Sequence, residues 1–376
     1  MDVSIENNEK YKVKKHRRIK IQYFDYSLFV LVVLLLVFGM IMLYSVSSYT
    51  AVREHGDAGF FLKKQATASA LGIVALLVLA QIDYRIWRHV AGIAYIVSIA
   101  LCTLVIFSGS NINGSTRWLY IGGVSVQPSE IAKVGIIIFL AAVISKRTQA
   151  LQSTINILKV FVMMLPLMAV VAYTNLSTGV IIGGIAFVML FVASKNKVAF
   201  AGIIIIGVLF GLLFIQMAGY RSERIAIWQH PEEYEKGYQT MQGLYAIGSG
   251  GLFGKGLGEG MQSRFVPEAQ NDMIFSVVCE ELGIFGAICI ILLYILLLWR
   301  FVVIAINAKD LFGTYLVVGV LAHIALQVSL NIAVVTNTIP NTGITLPFFS
   351  YGGTSIAILL AEMGLVLSVS RGIELK

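Results

Sequence analysis

The sequence predicts an all-α polytopic membrane protein of about ten transmembrane helices, with a large outward loop between the seventh and the eighth. Three observations predict it. Of 376 residues, 58% are hydrophobic and only 13% charged, against roughly 25% charged in an average soluble domain. Apolar runs close to the roughly 20 residues that cross a bilayer recur ten times. Basic pairs mark one set of connections, and the long polar segments fall in the other set.

The elements follow in chain order. Residues 1–26 form a basic tail with Lys10, Lys12, Lys14, Lys15, Arg17, Arg18 and Lys20. The first run, 27–48, is too long for a signal-peptide core and reads as a retained anchor. Runs follow at 65–81, 89–107, 129–145, 156–173, 177–193 and 198–217. The polar break at Asn175 and Ser177 reads as a tight turn or a kink. After the outward loop, 218–272, come runs at 273–300, 312–335 and 353–370. Residues 27–371 thus read as one membrane domain, and 372–376 as a short tail.

Basic pairs recur at Arg85/Arg88, Lys146/Arg147 and Lys195/Lys197, in alternate short loops. The positive-inside rule therefore puts the N-terminus in the cytoplasm, and ten spans return the C-terminus there. The long segments 49–64, 108–128, 218–272 and 336–352 then face outward. Long ordered loops in a compact protein are usually functional, so the working surface is expected outside.

Composition also excludes. The net charge of +8 follows from the membrane bias and suits anionic lipid headgroups, so nucleic acid is not needed to explain it. Cys102, Cys279 and Cys289 all fall in predicted spans without CxxC spacing and read as packing residues. The glycine-rich stretch 247–260, IGSGGLFGKGLGEG, fits neither dinucleotide nor P-loop fingerprints. It is either a plain flexible loop or one whose amides approach a phosphate, with Lys255 and Arg264 flanking it.

Three outward segments carry the candidate chemistry. In 113–133, NGSTRWLYIGGVSVQPSEIAK, Pro128 and Ser129 open a helix, and Glu130 and Lys133 share a face at i,i+3. They form an internal ion pair, or Lys133 and Arg117 bind an anionic headgroup. In 265–283, FVPEAQNDMIFSVVCEELG, Asp272 precedes an apolar run, where it is either a helix cap or a base accepting a proton from an alcohol. A helix N-terminus would lower its pKa. Glu280 and Glu281 lie deeper in that run, where a carboxylate costs roughly 2.5–3.5 kcal/mol and must face a cavity or be paired. The third segment, 337–355, is expected to be a re-entrant loop lining a cavity. Glu362, in the last run, is expected to pair with a basic residue of another helix.

Taken together and in order, NGSTRW with QPSEIAK, FVPEAQNDMIFSVVCEELG, and TGITLPFFSYGGTS (342–355) resemble the SEDS family of bacterial peptidoglycan glycosyltransferases, the RodA, FtsW and SpoVE group. The likeness runs from about residue 23 to the end. It implies an inverting glycosyltransferase that polymerises lipid II on the outer face of the bacterial cytoplasmic membrane, beside a class B penicillin-binding transpeptidase. By resemblance Asp272 is the base that deprotonates the attacking sugar 4-hydroxyl, and Arg117 and Lys133 steady the pyrophosphate, with Glu130 orienting Lys133. Further candidate substrate-binding residues in these segments are Gln127, Ser129, Pro267, Glu268, Ser350, Tyr351 and Thr354. No organic cofactor is implied; a divalent cation, Mg2+ or Mn2+, could assist the leaving group, although no ligand cluster stands out. Partner contact is expected on lipid-facing helices and the 218–264 loop.

The chain departs from the family pattern at three places. Gln270 and Asn271 replace a His-Thr pair, Thr174 to Thr178 replace Pro-Asp-Leu-Gly-Thr, and Asn337 replaces a glycine. Two rival readings remain, a lipid II flippase or transporter and an inactive scaffold of a cell-wall complex.

Overall fold

The computed structural model describes residues 24–112, 115–121, 124–205, 207 and 219–373. The basic tail before residue 24, the last three residues and most of the second half of the expected seventh span lie outside them. Among the described residues, nine helices are long and apolar enough to cross a membrane. They are α1 (Tyr26–His55), α2 (Phe60–Gln81), α3 (Ile86–Ser108), α4 (Pro128–Arg147), α5 (Thr154–Thr174), α6 (Leu176–Ala193), α9 (Ile274–Asn307), α10 (Leu311–Val335) and α11 (Gly353–Arg371). Two shorter helices, α7 (Gly219–Gln229) and α8 (Tyr238–Ser249), lie in the long loop. Residues 198–205 and 207 are helical, which is where the seventh span is expected to begin.

Asn175 alone joins α5 to α6. It ends one helix and caps the next, with its Oδ1 accepting from the Thr178 N–H at 3.2 Å, so the polar break is a tight turn. A small antiparallel sheet absent from the sequence reading fills the segment between α3 and α4: β1 (Ser110–Ile112), β2 (Ser115–Ile121) and β3 (Val124–Val126), in order β1-β2-β3. Pro128 opens α4 at its first position, where a missing N–H costs nothing.

α4, α10 and α11 form the inside of the bundle, with 61–72% of their apolar windows buried, whereas α2, α3 and α5 bury only 22–28%. The outer helices therefore present apolar side chains such as Phe107, 82% exposed, toward lipid. α2 lies close along α11 because both carry glycine there. A Cβ on Gly364 would sit 2.6 Å from the Leu76 carbonyl oxygen, and one on Gly72 2.6 Å from Leu360 Cδ1. Small residues of this kind let membrane helices pack closely without a hydrophobic drive between them.

α9 is broken at Gly283 (φ 66, ψ −167), a conformation essentially confined to glycine. The break frees helix carbonyls and amides, and the glycine-rich loop takes them up. The amides of Lys255 and Gly256 donate to the Glu280 and Glu281 carbonyls at 3.0 and 2.9 Å. In return, the amides of Ile284 and Phe285 donate to the carbonyls of Gly251 and Leu252 at 3.0 and 3.2 Å. The stretch 250–256 is therefore not a free loop: the Lys255 and Gly256 amides are committed to α9.

The same loop explains two carboxylates in an apolar helix. Glu280, fully buried, accepts from the amides of Gln262 and Ser263 at 2.8 Å each and pairs with Lys255 at 3.3 Å. Glu281 accepts from the Ser45 hydroxyl of α1 at 2.6 Å. Lys255 thus serves a helix, and Arg264 stands over the Tyr49 ring, 5.5 Å from its centroid. Cys102 and Cys279 are buried; Cys289 is exposed on the outer face of α9.

α10 ends in a Schellman motif. The Thr338 amide donates to the Ala333 carbonyl at 2.8 Å and the Asn337 amide to Val334 at 2.9 Å, with Asn337 left-handed at φ 54. That backbone explains why glycine is expected at this position and why asparagine serves instead, since Asn tolerates the left-handed region better than most residues. Asn337→Val is expected to lower stability by about 1–2 kcal/mol, seen as a drop in thermal midpoint, whereas Asn337→Gly keeps it.

Candidate active site

Five stretches distant in sequence meet at one end of the bundle around a cavity of about 760 Å³. They are β2 to the second turn of α4, the start of α6, the segment from α7 to Asp272, Gln327 within α10, and the segment from Asn337 to the first turn of α11. The basic residues Arg85, Lys146, Arg147 and Arg371 stand at the opposite helix ends. There Arg85 pairs with Asp310 at 2.8 Å, and the Tyr84 hydroxyl donates to the same carboxylate at 2.7 Å.

Four cations line the cavity, Arg117, Lys133, Arg224 and Lys236, against three carboxylates, Glu130, Glu268 and Asp272. Lys133 is almost wholly buried. Its ammonium meets Glu130 Oε1 and Gln327 Oε1 at 2.9 Å each. The i,i+3 pair of the sequence is thus formed, and it stands in the cavity wall, so the two readings of Lys133 are compatible.

Asp272 is not a helix cap. The residue before α9 is Met273, and no side chain caps that helix. The Asp272 backbone carbonyl accepts from Asn331 Nδ2 at 2.8 Å, and the same amide donates to the Ile344 carbonyl at 2.7 Å. Asn331 thereby clamps Asp272 to the non-helical segment. On the side chain, Oδ1 lies 3.3 Å from Gln239 Nε2, which also donates to the Pro267 carbonyl at 3.1 Å. The carboxylate keeps a face on the cavity with protein packed around the rest. Burial pushes its pKa up to about 6, with the Glu268 charge adding to the rise and Gln239 and Arg117 opposing it. The downward shift expected of a helix cap is not found, because Asp272 caps no helix and burial dominates.

Of the candidates read from the sequence, Arg117, Gln127, Glu130, Lys133, Glu268, Asp272 and Tyr351 line the cavity. Four others stand behind its wall. The Ser129 hydroxyl accepts from Gln127 Nε2 at 3.1 Å, Pro267 contributes its carbonyl to Gln239, Ser350 Oγ accepts from the Leu346 amide at 2.7 Å, and Thr354 Oγ1 is buried with no hydrogen-bond partner. Their positions make them supports of the wall. Glu362 is buried against His323, with 2.8 Å between Oε2 and Nδ1.

The departures also have places. Asn175 lines the cavity while capping α6. Asn271 Nδ2 holds Glu268 Oε2 at 2.6 Å. Gln270 is buried, and its carbonyl accepts from the Tyr351 amide at 2.8 Å, so this position joins the second segment to the third through its backbone.

The sequence reading missed Arg224, Lys236, Gln239, Gln327 and Asn341. Arg224 donates to the Asn341 carbonyl at 3.4 Å, and Asn341 Nδ2 to Gln239 Oε1 at 3.0 Å. Reading 218–272 as one loop concealed Arg224, Lys236 and Gln239, although the apolar periodicity of 219–229 and 238–249 was an available signal for Arg224 and Gln239; Gln327, inside an expected span, and Asn341, in the third segment, carry no charge to mark them. Gln239→Leu is expected to lower kcat about tenfold through a misplaced Asp272. It should also move the acidic limb of the pH–rate profile upward, since Gln239 favours the ionised form.

For a cation, the described residues offer one exposed group, His230, Glu232 and Glu233, within 4.8 Å of one another, away from the cavity wall. Within the cavity, Asp272 and Glu268 are the carboxylates not ion-paired to Lys133.

Comparison with known proteins places the chain in a family. A family model described as "Cell cycle protein", covering FtsW, RodA and SpoVE, matches residues 26–374. Stage V sporulation protein E of Bacillus subtilis is 38% identical over 354 residues, 92% of this chain and 97% of that protein. A probable peptidoglycan glycosyltransferase FtsW of Trichlorobacter lovleyi is 36% identical over 94% of each chain. Among solved structures, a chain of a peptidoglycan synthase complex that coordinates polymerization and crosslinking superposes with a TM-score of 0.79 at 27% identity, over 93% of this chain and 98% of that one. RodA of Thermus thermophilus superposes with a TM-score of 0.67 at 27% identity, over 93% and 97%.

Proposed function

This chain belongs to the FtsW, RodA and SpoVE family of cell cycle proteins, and we propose that its cavity is the polymerising site of a peptidoglycan glycosyltransferase acting on lipid II. The observation that carries this reading is Asp272: a carboxylate that caps no helix, faces a cavity with a surplus of cations, and has its pKa raised to about 6. A base of that strength is ionised at neutral pH and is a better proton acceptor than an ordinary aspartate.

In the proposed reaction, Asp272 takes the proton of the acceptor sugar 4-hydroxyl as its oxygen attacks the donor anomeric carbon. The new C–O bond forms on the face opposite the leaving group, and the bond to undecaprenyl pyrophosphate breaks with inversion. Lys133, Arg117, Arg224 and Lys236 offset the charge that develops on the pyrophosphate, in a site where protein replaces most of the water. Gln239 and Asn331 keep the base in place. Glu268 is the cavity carboxylate, besides the base and the Lys133 partner, that could help hold a divalent cation, which would supply further neutralisation of charge on the leaving group.

We place the cavity on the outer face of the bacterial cytoplasmic membrane, with both termini in the cytoplasm. The basic helix ends opposite the cavity support that orientation. A class B penicillin-binding transpeptidase is the proposed partner, supported by the likeness to the complex that couples polymerization to crosslinking.

The test is purified protein, co-expressed with its transpeptidase, given lipid II. Glycan ladders are expected. Lipid II crossing vesicle bilayers without ladders would make the protein a transporter, and neither activity would leave a scaffold.

A further inference from the structure

Behind Lys133 a line of buried polar side chains runs away from the cavity into the bundle. Gln327 Oε1 accepts from Lys133 Nζ at 2.9 Å and faces His323 Nε2 at 2.8 Å. Gln327 Nε2 donates to the Thr345 carbonyl and hydroxyl at 3.1 and 3.2 Å. His323 Nδ1 meets Glu362 Oε2 of α11 at 2.8 Å. His323 is 2% and Glu362 0% exposed, so neither contacts substrate.

The donor inventory fixes every orientation in this line. An ammonium only donates, so the Gln327 atom it touches is the oxygen. His323 Nε2, facing the same oxygen, must then carry hydrogen. Glu362 accommodates that hydrogen in either of its protonation states. An ionised Glu362 accepts from Nδ1–H of an imidazolium, whereas a protonated one donates to a bare Nδ1. Wherever the shared proton lies, Nε2 stays a donor. The Gln327 amide then uses both oxygen lone pairs and both N–H groups. Flipping it would set N–H groups against the Lys133 ammonium and its oxygen against the Thr345 carbonyl.

We propose that His323 and Glu362 are positioning residues of the active site: acting through Gln327, they fix where the Lys133 ammonium stands and hold Thr345 of the 342–355 segment in register with it. This rests on the glycosyltransferase reading and adds the device that holds its buried cation. Without the pair, Gln327 loses one of the two donors that select its orientation, and Lys133 loses a fixed acceptor.

A purely structural pair makes a different prediction. Replacing a buried ion pair with apolar residues of similar volume is often neutral or stabilising, so a structural pair could be exchanged with no effect on catalysis. The experiment compares His323→Leu/Glu362→Leu with wild type in the transpeptidase complex, using lipid II polymerisation rates and thermal midpoints. We expect a midpoint near that of wild type, kcat lowered about tenfold and KM within about twofold, since a misplaced cation acts on charge that develops in the transition state. Gln327→Leu completes a double-mutant cycle. If the pair acts through Gln327, adding the pair substitution to Gln327→Leu costs little more.

Unchanged kcat in the folded double variant overturns the proposal, and so do fully additive losses in the cycle. If the double variant fails to fold, His323→Phe/Glu362→Gln, which removes the Nε2 donor and leaves no buried carboxylate, gives the same comparison. Wild-type protein with no polymerase activity would instead overturn the reading of the cavity, and this proposal with it.

Discussion

Asp272→Asn is expected to abolish lipid II polymerisation, lowering the rate by about 10²–10⁴-fold, while leaving the protein folded and bound to its partner. Asparagine keeps the volume and the contact with Gln239 but cannot accept the proton of the attacking hydroxyl. The stability side has a definite sign. The folded state holds the Asp272 proton more tightly than the unfolded chain does, because burial raises the folded pKa to about 6 from an ordinary value of 3.8. Raising the pH through that window therefore costs folding free energy at this site. The Asn variant escapes the cost and should melt no lower than wild type at neutral pH. Wild-type activity should rise with pH along an acidic limb centred near 6. Glycan ladders from a well-folded Asp272→Asn protein would remove the base from the mechanism.

Gly283→Val is expected to have the largest effect on folding. A Cβ there would lie 2.4 Å from both the Gly254 amide nitrogen and the Leu252 carbonyl oxygen, and φ +66 is strained for any side chain. Backbone strain and overpacking together cost on the order of 4 kcal/mol. The loop would be expelled from α9, leaving the carbonyls of Glu280 and Glu281 and the Glu280 carboxylate without donors in a helix built for lipid. Size-exclusion profiles in detergent should show little monodisperse protein. A variant with wild-type yield and midpoint would show that the break is dispensable.

The helices were legible because membrane thickness imposes a length that apolar runs must meet. Observed ends such as Pro128–Arg147 against the expected 129–145 differ by a residue or two. α1 runs on to His55, beyond its apolar run, since nothing in its polar extension breaks a helix. The small sheet was not legible: its strands are three to seven residues long and carry too little alternation to register. At the site, Asp272, Arg117 and Lys133 were readable because charge beside apolar sequence is costly and therefore conspicuous. Gln239 and Gln327 are neutral amides, whose value arises only from neighbours about 30 or 200 residues away. Asp272 as a cap failed for a geometric reason, since α9 starts at Ile274, one residue later than the polar-to-apolar boundary.

The stitch between the glycine-rich loop and α9 also bears on how the chain assembles. Lys255 and Glu280 are only 25 residues apart, and the loop is synthesised first, so its amides are waiting when the broken helix emerges. Closing so short a connection costs little chain entropy, which makes this an early, self-contained folding unit. The cavity is the opposite case. It needs β2 near residue 117 beside a segment that ends near residue 353, so it cannot close until almost the whole polypeptide has been made. A nascent chain would thus hold a finished scaffold well before it holds a reactive centre.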